Sequence, residues 1–114
     1  MNGMKVNELV ADGICRALTV TEGDREIGGV YIGDLLSWVM GRAAADDAWI
    51  TIMSNINVVA VASLADAACV LFAEGVVPDD SVIQTAADKG INLLVSDLAA
   101  YELAIVLHEK MTAQ

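Results

Sequence analysis

Only one histidine, two cysteines, one proline and six basic residues occur in this chain of 114. Each shortage excludes something. A metal site built from side chains needs clustered His, Cys, Asp or Glu at defined spacings. The sole histidine, His108, instead falls within an apolar helical pattern, where a core or interface role is expected. Cys15 and Cys69 lie far apart with no C-x-x-C spacing, so they read as two buried, reduced thiols rather than a disulfide or redox pair. Neither cysteine has a neighbouring base, and nucleophilic catalysis wants one. The basic residues Lys5, Arg16, Arg25, Arg42, Lys89 and Lys110 are scattered singly. A nucleic-acid surface needs them clustered to neutralise phosphates. Aromatic residues make up only 4%, so the core must be assembled from Val, Ala, Leu and Ile.

What the chain has in excess is apolar and acidic residues. Hydrophobic residues reach 56%, and sixteen acids against six bases give a formal net charge of −10. The charge serves solubility. The apolar fraction exceeds what one small core can hide, and the surplus predicts a subunit interface, most simply that of a homodimer. The longest apolar runs, Val58–Ala62 and Ala67–Ala73, are too short to span a bilayer. The start, MNGMKVNELVADG, shows no signal-peptide apolar stretch, so a cytoplasmic location and no membrane partner are expected.

The pattern along the chain predicts one domain over 1–114. Residues 4–12 read as a short amphipathic helix and 15–20 as an edge or half-buried strand. TEGDREIGG reads as a loop by composition. Val30–Ile32 follows as a short strand, and then a helix carrying Leu35, Leu36, Val39 and Met40, N-capped by Asp34 and closed by Gly41. From there strands at 48–53, 68–73 and 91–96 alternate with helices at 57–65, 81–89 and 98–111. Ser54 and Asn55, Asp79 and Asp80, and Asp97 stand where those helices want caps. On the last helix Leu98, Tyr101, Ile105, His108 and Met111 form one stripe. This alternation predicts an α/β fold, a mostly parallel sheet with βαβ crossovers flanked by helices.

Two kinds of site follow. In parallel sheets ligands sit beyond the carboxyl ends of the strands. Those ends carry Ser54, Asn55 and Asn57, then Glu74 and Gly75, then Ser96 and Asp97, and capping competes with ligand binding as their use. The glycine-rich DREIGGVYIGDLLSWVMG, residues 24–41, lacks the lysine of a P-loop and the spacing of a dinucleotide fingerprint. It reads as a glycine-built turn and strand feeding a helix that presents Leu35, Trp38 and Val39, with Tyr31 before them, to the core or to a second subunit.

The runs YIGDLLSWVMG (31–41), WIT (49–51) and NVVAVASLAD (57–66) carry a resemblance over nearly the whole chain to DRTGG domains, whose fold is similar to the N-terminal domain of HPr kinase/phosphorylase. The resemblance is to small stand-alone members, which tend to be encoded near iron-only hydrogenases. DREIGG is not the eponymous motif. The family's Asp-Arg corresponds to Asn55-Ile56 here, and its Thr-Gly-Gly to Glu74-Gly75-Val76, so only Gly75 matches. The likeness implies a non-catalytic regulatory or protein-interaction module without a cofactor, linked to hydrogenase or metabolic regulation. A small-ligand sensor for a nucleotide or metabolite is the alternative. Third is an enzyme using carboxylates such as Asp34 and Asp97.

Overall fold

The computed structural model describes residues 4–113. The elements are β1 (Met4–Lys5), α1 (Val6–Ala11), β2 (Arg16–Thr19), β3 (Glu26–Ile27), β4 (Gly29–Ile32), α2 (Leu36–Arg42), β5 (Asp47–Thr51), α3 (Asn57–Ala65), β6 (Cys69–Phe72), α4 (Asp80–Lys89), β7 (Leu93–Val95) and α5 (Ala100–Thr112). Five strands form one sheet in the order β2-β7-β6-β5-β4. β4 to β7 run parallel, and β2 joins antiparallel at the far edge. This is the expected α/β architecture. Among the described residues no helix is long and apolar enough to cross a membrane.

The strands are apolar throughout because both faces are covered, as parallel sheets require. Alternate side chains serve opposite layers. Ala48, Ile50, Cys69, Leu71 and Leu94 pack with Met4, Val6 and Leu9 from the amino-terminal segment and with Leu103 and Leu107 of α5. Trp49, Val70, Phe72, Leu93 and Val95 pack with Val39 of α2, Val58, Val59 and Ala62 of α3, and Val82 and Ala86 of α4. Gly90 ends α4 in the left-handed conformation at φ 71°, the residue type that region favours.

Several local expectations are corrected. The polar run 21–29 is not all loop: Glu26–Ile27 pairs antiparallel with Met4–Lys5. Helix α2 begins at Leu36 and passes through Gly41 to Arg42. Asp34 does not cap it. Its Oδ1 instead accepts bonds from Thr51 Oγ1 at 2.8 Å and Ile52 N at 3.0 Å, tying the end of β4 to the end of β5. Helix α5 begins at Ala100, two residues past the expected start, with Ala99 rather than Asp97 at its N-cap. Helix α4 does start beside Asp79, though that side chain makes no capping bond. The stripe Leu98, Tyr101, Ile105, His108 is not the core face of the last helix. Leu103 and Leu107 are buried, while Tyr101, Ile105 and His108 are exposed.

Arg25, the basic residue of DREIGG, is a clamp at the amino ends of the strands. Its Nη2 donates to Asp46 Oδ1 at 2.9 Å, to Asp66 Oδ1 at 2.9 Å and to Asp66 O at 2.7 Å. Asp46 and Asp66 both adopt left-handed backbone, φ 70° and 57°, just before β5 and at the end of α3. Burial alone would lower the pKa of the guanidinium, but its bonds to these two carboxylates outweigh that and raise it.

Candidate functional site

At the carboxyl ends of β5, β6 and β7, the chain's own polar groups meet. After β5, Met53 N donates to Thr51 Oγ1 at 3.0 Å, and the chain turns at Asn55. Asn55 Oδ1 accepts from Asn57 N at 2.9 Å, so this side chain orders the turn into α3 from a position before the N-cap, which is Ile56. Ser54 is half-buried beside it, and Asn57 is exposed on the first turn of α3.

After β6 the backbone enters the left-handed region twice, at Glu74 (φ 58°) and Gly75 (φ 71°). This is routine for glycine and costs roughly 1 kcal/mol for a glutamate. The turn is held by the loop after β7: Glu74 N donates to Leu98 O and Gly75 N to Ser96 O, both at 2.8 Å. A Cβ on Gly75 would stand 3.3 Å from Asp97 Oδ1, so the two loops touch. Ser96 is buried, and its Oγ accepts from Leu98 N at 3.2 Å. Asp97 is exposed and pairs with Arg16 of β2 at 3.2 Å.

The structure therefore brings Glu74, Gly75, Ser96 and Asp97 into one cross-linked pair of loops. Ser54, Asn55 and Asn57 form a second turn, reached through the bond from Ala73 N to Thr51 O at 3.0 Å. The ensemble presents two carboxylates, and Asp97 is already paired with Arg16. An anionic ligand would have to draw Arg16 away from Asp97. Both partners of that ion pair are well exposed, so breaking it costs little.

The other predicted set, Tyr31, Leu35, Trp38 and Val39, divides. Val39 is buried in the core and Tyr31 is half-buried, its ring against Gly33. Leu35 and Trp38 stand 58% and 53% exposed, and the Arg42 guanidinium lies over the Trp38 ring, 3.8 Å from its centroid. Ile52 and Ile56, which sequence reading did not single out, are exposed as well. Asp34 accepts the Ile52 N–H, which ties the residue before Leu35 to Ile52.

Thiol chemistry is suppressed. Burial pushes the Cys15 thiol from its ordinary 9.0 up to about 11 and pushes the Cys69 thiol higher still. Near neutral pH both stay protonated, the form that neither attacks substrates nor binds metals.

Neither a scan against family models nor a search of curated proteins returns a match. Among solved structures, the fold is similar to the CBS and DRTGG domains of the regulatory region of Clostridium perfringens pyrophosphatase, crystallised with its activator diadenosine tetraphosphate. The TM-score is 0.73 at 10% identity, over 94% of this chain and 47% of that one. The chain thus spans about half the length of the matched structure, and it shares the α/β fold of a regulatory region.

Proposed function

We propose that this protein is a non-catalytic regulatory domain of the DRTGG type that acts by association, with a homodimer as its working form. The observation that carries this reading is the apolar surface left over after two core layers have been filled. Leu35, Trp38, Ile52, Ile56, Leu64 and Tyr101 remain exposed, a large share for so small a chain. The likeness to a regulatory region and the protonated thiols agree with it. A place in hydrogenase or metabolic regulation follows only from the sequence resemblance. Sedimentation equilibrium at tens of micromolar is expected to give a mass of about 24 kDa, twice the 12.0 kDa of the chain. A mass of one chain overturns the association reading.

A second reading is a small-ligand sensor at the strand ends, favoured by the close meeting of Glu74, Gly75, Ser96 and Asp97 in two loops with left-handed turns. A regulatory region of similar fold is crystallised with a nucleotide activator. Its test is thermal unfolding with a panel of nucleotides, diadenosine tetraphosphate and acyl phosphates near millimolar. A ligand at 100 times its Kd stabilises by about 2.7 kcal/mol, which raises Tm by roughly 10 °C in a domain of this size. No shift with any member of the panel sinks the sensor reading.

A further inference from the structure

Strand β4 is one edge of the sheet, and it is unguarded. Edge strands expose unpaired N–H and C=O groups, and proteins protect them with charges, prolines or bulges. The opposite edge, β2, has both an arginine, Arg16, and a register shift between Ala17 and Thr19. β4 reads Gly-Val-Tyr-Ile and has neither. The phase of its ladder is set by Gly33 N donating to Ile50 O at 3.2 Å, and on the other side of β5 by Ala73 N donating to Thr51 O. Even-numbered residues of β5 therefore face β4, and Tyr31 bonds to them. The backbone groups of Val30 and Ile32 point outward.

Beside this edge, β4 and α5 enclose an open groove of about 500 Å³. Val30 and Ile32 line it from the strand, and Ala104, His108, Met111 and Thr112 from the helix. Ile32 is 50% exposed. Tyr101, 73% exposed, and Ile105 continue the helix side of the surface at helical spacing. The solvent-facing stripe of α5 thus lies along the unpaired edge. No carboxylate lines the groove, although the chain carries sixteen. In a molecule of net charge −10, an acid-free strip is where a second copy meets the least repulsion.

We infer that β4 pairs antiparallel with β4 of a second copy about a two-fold axis through Tyr31, joining two five-stranded sheets into one. This rests on the self-association reading above and names its surface. A two-fold axis perpendicular to the sheet keeps each face on its own side, so only registers centred on a residue are allowed. Centring on Tyr31 sets Val30 opposite Ile32 of the other copy in a hydrogen-bonded pair. Every outward N–H and C=O of these two residues then finds a partner. It also sets a β-branched pair on the groove face and Tyr31 against its mate on the other, both favoured cross-strand pairs. The two grooves meet over the seam, with an α5 helix on each side.

Two variants of the exposed Ile32 test this while leaving the β5 bonds intact. Ile32→Lys puts a charge on the edge, and Ile32→Pro removes an outward donor. Each is expected to raise the dimer dissociation constant about tenfold or more with an unchanged circular dichroism spectrum. Hydrogen exchange should show the Val30 and Ile32 amides about tenfold or more slower in the wild-type dimer than in Ile32→Lys. A wild-type monomer overturns both this inference and the association reading. A wild-type dimer that survives both Ile32 variants, or is dissolved instead by Trp38→Glu, overturns only the edge assignment. Fast exchange at Val30 and Ile32 in the intact dimer does the same.

Discussion

Trp49→Ala is expected to lower the unfolding free energy by about 3–5 kcal/mol, read from urea midpoints by circular dichroism. Trp49 is the largest fully buried side chain and sits on β5, a central strand, with Tyr31 on one neighbouring strand and Val70 on the other. It shares a layer with Val39 of α2 and with Val58, Val59 and Ala62 of α3. The remaining residues of that layer are mostly valine, alanine and leucine, too short and too stiff to fill an indole-sized void. The indole Nε1 also donates to Gly33 O at 2.8 Å. Removing the ring empties the cavity and strips the carbonyl that follows β4 of its donor. A domain of this size has a total stability of about 5–15 kcal/mol, so the variant should be close to unfolding at growth temperature. Trp49→Phe, which keeps most of the volume and loses the donor, should cost about 1–2 kcal/mol. The cavity account fails if Trp49→Ala costs less than Trp49→Phe.

The parallel sheet was legible because its signal is long and repeated. Three apolar runs alternate with helical stretches, and α3 falls at 57–65 as read, while Gly90 stands where α4 stops. What was not legible depends on which of two partners a side chain takes. Asp34 has a helix amide within sequence reach and a Thr51 hydroxyl within spatial reach, and only the fold brings the second one close. Asp97 likewise turns to Arg16, 81 residues away, and leaves its helix uncapped. Helix α5 is apolar on two sides, so its 3.6-residue period marks two stripes equally well. Leu103 and Leu107 take the core, and the Tyr101, Ile105, His108 stripe stays outside. The pairing of Glu26–Ile27 with Met4–Lys5 is too short to leave any periodic trace.

The same distinction bears on the candidate site. Sequence spacing put these polar residues around the carboxyl ends of the strands, although β5, β6 and β7 each stop one or two residues earlier than the spacing predicts. It could not say that Glu74 and Asp97 lie in touching loops, or that Arg16 from the far edge reaches Asp97. Nor could it separate Leu35 and Trp38 from Val39, because all three follow one helical run and only packing decides which turns inward. The edge position of β4 was not legible either. Its four uncharged residues between glycines read only as a short strand, and the interior strands β6 and β7 are just as free of charge and proline, so only the strand order shows β4 to be an edge.

Asn92 carries the second large effect, and nothing in the sequence announces it. It lies between Ile91 and Leu93 at the entry to β7, where an apolar residue would fit the pattern, and it is buried. All of its amide capacity is used. Nδ2 donates to Glu22 O at 2.9 Å and to Ala68 O at 3.0 Å. Oδ1 accepts from Thr21 N at 3.2 Å and Glu22 N at 3.0 Å. One side chain thus pins the loop after β2, 70 residues away in sequence, to the segment entering β6, 24 residues away. Asn92→Ala removes every one of these bonds and leaves the buried Ala68 carbonyl without this donor. Each buried group left unpaired costs about 1–3 kcal/mol, and water can reach the Thr21 end, so a net loss of about 2–4 kcal/mol is expected. Asn92→Asp keeps the acceptor toward Thr21 and Glu22 but turns a carboxylate on two carbonyl oxygens. It should be no more stable than Asn92→Ala at pH 7 and should recover as the pH falls and the carboxyl group protonates. Exchange of the Thr21 and Glu22 amides should speed up in Asn92→Ala, while the amides of β6 follow only the global loss. A variant with wild-type exchange at those two positions would show that the loop is held by something other than Asn92.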